Sequence, residues 1–404
     1  MQEGIVRTSP PQPLSKGTAI KFVLLLGLVS LLADMTYEGA RSVTGPFLQV
    51  LGANGTTVGI VAGFGELLGY GFRLVSGYWA DKTGRYWTFT MAGYALNLLS
   101  VPLLALAGWW QIAALLIIAE RMGKAIRTPA RDAMLSYATH QTGRGWGFGL
   151  HEAMDQIGAV TGPLFVAAAL FLDIGYRASF ALLLIPALLA LGVLTLSRYI
   201  YPRPRDFEID EGRIEGKGLP RRFWLYVAAV GLVAAGYVDF PIIAFHFQRE
   251  SVVSPVTIPL LYALAMGTDA VAALAFGRLF DRFGISVLVV AVASSAFVAP
   301  LVFWGSFGLI VVGTALWGIG MGAQESIMRA VVADMVPVDK RAGAYGVFNM
   351  GYGVLWFGGS ALIGVLYDVS LPALISFSVL AQVASIPILL SIARMQRPKR
   401  LASA

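Results

Sequence analysis

The sequence contains no cysteine and only three histidines among its 404 residues. Without cysteine the chain can form neither a disulfide nor a thiolate metal centre, and so few histidines argue against a dedicated site for a soft metal ion. Charged residues are also scarce, at 13% of the chain, whereas soluble domains carry about 25%. With 57% hydrophobic residues, this composition excludes an ordinary soluble protein.

The chain contains many long apolar runs. Runs of about 20 residues cross a bilayer, and backbone polar groups in lipid must be satisfied within the segment, so each run predicts a transmembrane helix. We predict an all-α membrane protein with twelve spans in two six-helix bundles. The predicted spans are 20–50, 56–80, 87–108, 110–137, 147–172 and 177–198, followed by 223–248, 256–280, 285–305, 307–336, 343–367 and 371–393.

One long polar stretch, YPRPRDFEIDEGRIEGKGLPRR, separates the two sets of six. The predicted organisation is a tail over 1–19, a bundle over 20–199, a linker over 200–222, a second bundle over 223–394 and a tail over 395–404. Most loop bases fall on the side of the tails and linker, whereas the other side has Arg177 and Arg249. By the positive-inside rule both termini are therefore cytoplasmic, at the plasma membrane. The net charge of +7 then reflects topology rather than nucleic-acid binding.

The two halves carry related motifs. GYWADKTGR at 77–85 corresponds to GRLFDRFGI at 277–285, and GRGWGFG at 143–149 corresponds to KRAGAYG at 340–346. Same-orientation repeats are one known plan for secondary transporters.

These motifs resemble those of the major facilitator superfamily, and the resemblance extends over essentially the whole chain. The first loop matches the pattern Gly-x-x-x-Asp-x-x-Gly-Arg, the second copy matches except that Ile285 replaces the last base, and Arg121 matches the family's arginine in the fourth span. The fifth span resembles the glycine pattern of proton-coupled exporters, although Val166 and Ala167 replace its final glycine pair. The matching loop residues are Gly77, Asp81, Gly84 and Arg85, then Gly277, Asp281 and Gly284; those of the fifth span are Gly149, Gly158, Gly162 and Pro163.

The resemblance implies that these loops act as a cytoplasmic gate. Asp81 would cap a helix of the opposite half when the pore is closed inside, and a carboxylate there gains about 0.3–1 kcal/mol. Arg131, Asp132 and Arg85 are expected beside it, with Arg85 and Asp132 as a candidate pair. The alternative is that these charges only fix the topology.

Ionisable residues inside spans cost about 2.5–3.5 kcal/mol each and are candidate functional sites. Asp34, Glu38 and Arg41 are spaced four and three apart, so they share one face of the first span. Two carboxylates beside one guanidinium favour a proton or cation site. The alternative is an ion-pair network that locks the first span to a neighbour. Glu66 and Arg73 of the second span are candidate partners for charges of the first or fourth span.

The fourth span carries Glu120, Lys124, Arg127 and Arg131 in one stripe. This stripe predicts either a path for an anionic group or ion pairs. In the second case Arg127 and Arg131 would pair with acids such as Asp81 and Asp132, and Glu120 with Lys124 along the helix. Other candidate ionisable residues of the coupling site or cavity are Asp155, Asp239, Glu325 and Arg329. In the family's fold the first and fourth helices of each half line the cavity.

Three classes of function remain at this point. The leading hypothesis is a proton-coupled exporter of small amphipathic or organic compounds, working as a monomer by alternating access. The alternative within transport is proton-coupled uptake or exchange of a small organic anion, held by Lys124 and Arg127. A non-transporting sensor or a membrane enzyme is less favoured, because no signalling domain, nucleophile elbow or phosphate-binding loop is visible. We expect protons, a small molecule and lipid as partners, and neither a cofactor nor a metal nor nucleic acid.

Overall fold

The computed structural model describes residues 16–142, 144–202, 219–336 and 341–401, and within them the chain is helical throughout its spans. The helices of the first half are α1 Lys16–Val50, α2 Gly55–Thr83, α3 Tyr86–Leu103, α4 Trp110–Thr142, α5 Arg144–Phe171, α6 Gly175–Leu182 and α7 Leu184–Ile200. Those of the second half are α8 Arg221–Gly236, α9 Phe240–Arg249, α10 Thr257–Phe283, α11 Ser286–Ser295, α12 Val298–Trp304, α13 Phe307–Met335, α14 Arg341–Val369 and α15 Leu371–Leu401.

These helices form twelve passes within the described ranges, as predicted. Three passes are made of two helices each, α6 with α7, α8 with α9, and α11 with α12. Eleven passes are apolar enough to be recognised as membrane spans by composition. The remaining pass is α4, which is long enough to span but carries the predicted stripe of charges. The last helix continues past residue 394, where a tail was predicted, to Leu401. Residues 1–15, 203–218 and 402–404 lie outside the described chain.

The repeated loops end their helices in the same way. Gly84 and Gly284 have φ values of 64° and 65°, in a region that favours glycine, and their N–H groups bond the carbonyls of Ala80 and Phe280. The last glycine of each copy is therefore a helix C-cap.

The seventh pass is broken in its middle, which the sequence analysis missed. The α8 helix ends at Gly236 and α9 begins at Phe240. The indole of Trp317 donates to the carbonyl of Val238 at 2.8 Å, and the Tyr237 hydroxyl donates to the carbonyl of Trp317. These bonds satisfy backbone and side-chain groups that would otherwise be buried without partners.

The two halves meet at one end of the bundle. We call the end where α1 begins and α15 ends the basic face, and the other end the opposite face. At the opposite face Tyr176 donates to Gln248 across the halves at 2.6 Å, and Asp368 bonds the start of α2. Gly45 lies against the backbone of Pro241, where there is no room for a Cβ. The halves are thus closed against each other at the opposite face.

Candidate functional site

A cavity of about 490 Å³ lies between the two halves, on the basic side of these contacts. Residues of α1, α2, α4 and α5 form its first wall, and residues of α10, α13 and α14 form its second. The lining includes Asp132, whose side chain is 43% exposed, so the cavity reaches towards the basic face.

The three charged residues of α1 face this cavity. Asp34, Glu38 and Arg41 all contribute to its lining. Glu38 accepts a hydrogen bond from Tyr262 of the other half at 2.5 Å, and the Oδ1 atom of Asp34 is buried without a hydrogen-bond partner. Glu38 is therefore fixed by a hydrogen bond from the other half, whereas Asp34 keeps one oxygen unpartnered.

A network of ion pairs joins α1, α2 and α4. Arg41 lies 3.0 Å from Glu66, and Arg121 lies 3.6 Å from the same carboxylate oxygen. Arg121 also approaches Glu120 at 3.3 Å. The suggestion that Glu66 pairs with charges of the first and fourth spans agrees with this geometry.

Glu120 lies away from the central cavity. Its carboxylate accepts from the amide of Asn97 on α3 at 2.7 Å. It lines instead a small void of about 30 Å³ between the first half and Pro241 of α9, together with Arg41, Glu66 and Arg121. The expected pairing of Glu120 with Lys124 along α4 is wrong. Glu120 bonds Asn97 on α3, and Lys124 bonds Tyr37 on α1.

Lys124 contacts α1. Its ammonium donates to the Tyr37 hydroxyl at 2.8 Å, lies 4.1 Å from the centre of that ring and is 4.0 Å from Glu38. This geometry holds Lys124 in the cavity wall between an aromatic face and a carboxylate.

Nearer the basic face, Arg131 joins a second cluster. It lies 2.8 Å from Asp132 and 3.9 Å from Asp155, and donates to Ser30 at 3.2 Å. Asp132 is therefore paired with Arg131 in this state, not with Arg85, whose side chain is exposed. His151 is only 3% exposed and shares a 3.0 Å hydrogen bond with Ser30.

Of the predicted residues of the second half, Asp239 lies outside the cavity lining and Glu325 lies within it. Asp239 is 1% exposed and lies at the break between α8 and α9, where Trp356 and Ser360 donate to it at 2.9 and 2.6 Å. Its other oxygen is 3.8 Å from Arg41. Asp239 therefore joins the halves beneath the cavity instead of lining it. Glu325 lines the cavity, and the side chain of Arg329 lies outside the described part of the chain.

The two walls differ in chemistry. The first wall carries most of the charges described above, and among described side chains the second contributes Asp269 and Glu325 as its ionisable carboxylates. Otherwise the second wall is rich in aromatic and methionine side chains, including Trp317, Tyr352, Trp356, Met266, Met321 and Met328.

The gate loops lie apart from the cavity in this state. Asp81 is exposed and accepts a hydrogen bond from Tyr86 of its own half at 3.1 Å. Because the halves are in contact at the opposite face, the cap across the halves stays a prediction for another state.

The glycines of the fifth span have a packing role. A Cβ at Gly158 would meet the Leu31 carbonyl, and one at Gly162 would meet that of Met35, whereas Gly149 has nothing within 4 Å. Gly158 and Gly162 therefore allow α5 to approach α1 closely, beside Asp34. Pro163 lies within α5, directly after Gly162.

A sequence profile described as Major Facilitator Superfamily matches residues 26–251 and 223–403. The chain belongs to this superfamily. It is 44% identical over 366 residues to an uncharacterized protein of Mycobacterium tuberculosis, with 89% of each chain covered. It is 28% identical over 369 residues to an uncharacterized MFS-type transporter of Methanocaldococcus jannaschii, covering 87% of this chain and 89% of that one.

Solved structures of transporters share the fold of this superfamily member. A bacterial homologue of the human lysosomal transporter Spinster, in an inward-facing and unoccupied conformation, aligns with a TM-score of 0.68 and 17% identity over 94% of this chain and 96% of that one. The nucleoside transporter NupG aligns with a TM-score of 0.72 and 14% identity over 91% and 99%. The protein is thus a multi-pass membrane transporter and not an enzyme.

Proposed function

We propose that the protein is a proton-coupled secondary transporter that exports small amphipathic or organic compounds by alternating access. The observation that carries this proposal is the central cavity, which lies between two halves closed at one face and has one charged and one aromatic wall. A site between two repeats near the middle of the membrane is what alternating access requires. The positive-inside rule supports the basic face as cytoplasmic, so this state would receive its cargo from the cell interior.

Asp34 is the preferred proton carrier. Its Oδ1 atom is buried without a hydrogen-bond partner, whereas Glu38 accepts from Tyr262 and lies beside Lys124. A carboxylate with an unsatisfied oxygen gains most from taking up a proton, because burial of an unpaired charge is costly. Asp155 also has an unpartnered Oδ1 atom and is the second candidate.

Transport by inside-out vesicles tests this function. The vesicle interior is acidified, a dye reports the internal pH, and lipophilic cations and small organic anions are added separately. We expect at least one compound class to release protons from vesicles with the wild-type protein, and this release to disappear in Asp34→Asn. The matched control is Asp173→Asn, at an exposed turn position between α5 and α6 that does not line the cavity. Proton release that is unchanged in Asp34→Asn and Asp155→Asn would refute these carriers.

Uptake or exchange of an organic anion is the second candidate function. The observation that favours it is that Arg127 lines the cavity and that its Nε and Nη1 atoms have no hydrogen-bond partner. In the vesicle assay this function predicts a response to anions that fails in Lys124→Gln.

A further inference from the structure

Arg127 is a buried cation in the charged wall of the cavity. Its side chain is 1% exposed, and its guanidinium lies 4.2 Å from the ring centre of Tyr94 and 5.8 Å from that of Tyr37. Two of its nitrogens, Nε and Nη1, have no hydrogen-bond partner. The two tyrosine rings hold the guanidinium in place without neutralising it.

The neighbouring bases of α4 are better compensated. Arg121 and Arg131 lie within 3.3 and 2.8 Å of a carboxylate oxygen, and Lys124 lies 4.0 Å from Glu38. Arg127 has no carboxylate within 4.0 Å among the side chains that the structure describes. An arginine cannot lose its proton to relieve this cost, and an uncompensated buried charge is strongly destabilising. An anion that enters the cavity would therefore offset this cost.

Asp34 on α1 supplies negative charge that acts on Arg127. Arg131, on the same helix as Arg127, acts on it with the opposite sign. Asp34 lines the same cavity and keeps an unpartnered oxygen, so it does not satisfy the guanidinium in this state. Both groups are free to take other partners.

We propose that Arg127, with Lys124 one turn before it, is the subsite for a carboxylate group of the transported compound. This subsite deepens the proposed function and rests on the cavity being the transport path. The aromatic and methionine wall opposite receives the apolar body of the same molecule, since such side chains adapt to apolar ligands of different shapes. The ligand class is therefore an organic carboxylate with an apolar body. Asp34 competes with this carboxylate for Arg127.

Binding to the purified full-length protein in lipid nanodiscs tests the subsite without any transport. The probes are benzoate and decanoate, with neutral benzamide, cationic benzylamine and inorganic phosphate as comparisons. We expect benzoate to bind about tenfold or more tightly than benzamide, which has the same ring, because charge-assisted hydrogen bonds to a carboxylate are stronger than those to a neutral amide. Decanoate, with its longer apolar body, is expected to bind at least as tightly as benzoate. Arg127→Gln abolishes this preference, and Arg127→Lys retains part of it.

Two further variants separate binding from folding. Asp34→Asn removes the competing carboxylate and is expected to tighten benzoate binding about threefold, which a loss of fold cannot produce. Arg282→Gln removes a base at an exposed position of α10 outside the cavity and is expected to change nothing.

Three results would overturn the subsite: benzoate binding no more tightly than benzamide, a folded Arg127→Gln with unchanged preference, or weaker benzoate binding in Asp34→Asn. Phosphate binding as tight as that of benzoate would replace it with a site for inorganic anions. Failure of proton coupling in vesicles, with Arg127-dependent benzoate binding intact, would refute the proposed function and leave the subsite standing.

Discussion

The carboxylate of Asp368, at the end of α14, accepts hydrogen bonds from both the N–H and the hydroxyl of Thr56 at the start of α2, each at 2.7 Å. The N–H of Gly55 donates to it as well at 3.0 Å, and Arg249 lies 3.4 Å away. A carboxylate of one half thus caps a helix of the other half at the opposite face. This is the type of contact that the resemblance to the superfamily implied for Asp81 at the basic face.

Asp368→Asn is expected to weaken closure of the opposite face. A carboxylate at a helix N-terminus contributes about 0.3–1 kcal/mol, so the population open at that face should rise about two- to fivefold. The chain has no cysteine, so a single cysteine placed at Ser326 in the cavity reports access without interference. The measurement is its labelling rate with an impermeant thiol reagent added from the opposite face.

Asp173→Asn is the matched control for this experiment. It removes one negative charge at the same face, from an exposed residue in the turn between α5 and α6 that has no part in the Asp368 contact. Equal labelling rates in Asp368→Asn and the unchanged protein would show that the contact does not hold the face closed.

Asp81→Asn is expected to act in the opposite direction. In this state Asp81 is exposed and bonded within its own half, so removing its charge changes the stability of this state little. If Asp81 caps the other half when the basic face closes, its removal favours the state described here, and Ser326→Cys becomes labelled more slowly from the opposite face. Combining Asp81→Asn with Asp368→Asn should bring the rate back towards that of the unchanged protein. Faster labelling in Asp81→Asn alone would contradict the gate prediction.

Gly158→Ala and Gly162→Ala are expected to destabilise the protein, whereas Gly149→Ala is not. The added methyl group would meet backbone atoms of α1 at the first two positions and nothing within 4 Å at the third. Overpacking of this kind costs about 1–3 kcal/mol. The midpoint of thermal unfolding in detergent measures the difference, and a Gly149→Ala midpoint as low as the others would show that packing is not the cause.

Ser360→Ala should also lower stability. It removes a 2.6 Å hydrogen bond to the buried carboxylate of Asp239, and such bonds contribute about 1.5–3 kcal/mol. Ser391→Ala is the control, because that hydroxyl bonds the Ile388 carbonyl of its own helix. If both variants unfold at the same temperature, the bond at the helix break contributes nothing measurable.

The sequence predicted the spans well because each apolar run is long enough to cross a bilayer. In lipid such a run must satisfy its own backbone hydrogen bonds, which makes it a helix. The spacing of Asp34, Glu38 and Arg41 placed them on one helical face, whereas the position of that helix beside the cavity was implied by the resemblance and not by the spacing. The break in the seventh pass was missed, although Asp239 followed by Pro241 is a typical start for a helix. Partners distant along the chain, such as Asp368 and Thr56, cannot be inferred from periodicity.

The ion pairs of the first half have an electrical consequence. Glu66 lies between Arg41 and Arg121, and Arg131 lies between Asp132 and Asp155, so much of the charge of this wall is balanced within the half that carries it. Each unbalanced charge that crosses the membrane field changes the energy by about 2.3 kcal/mol per 100 mV. We therefore expect the rocking of this half to respond little to membrane voltage by itself. The voltage dependence of a full cycle would then report the charge of the cargo and of the protons that move with it.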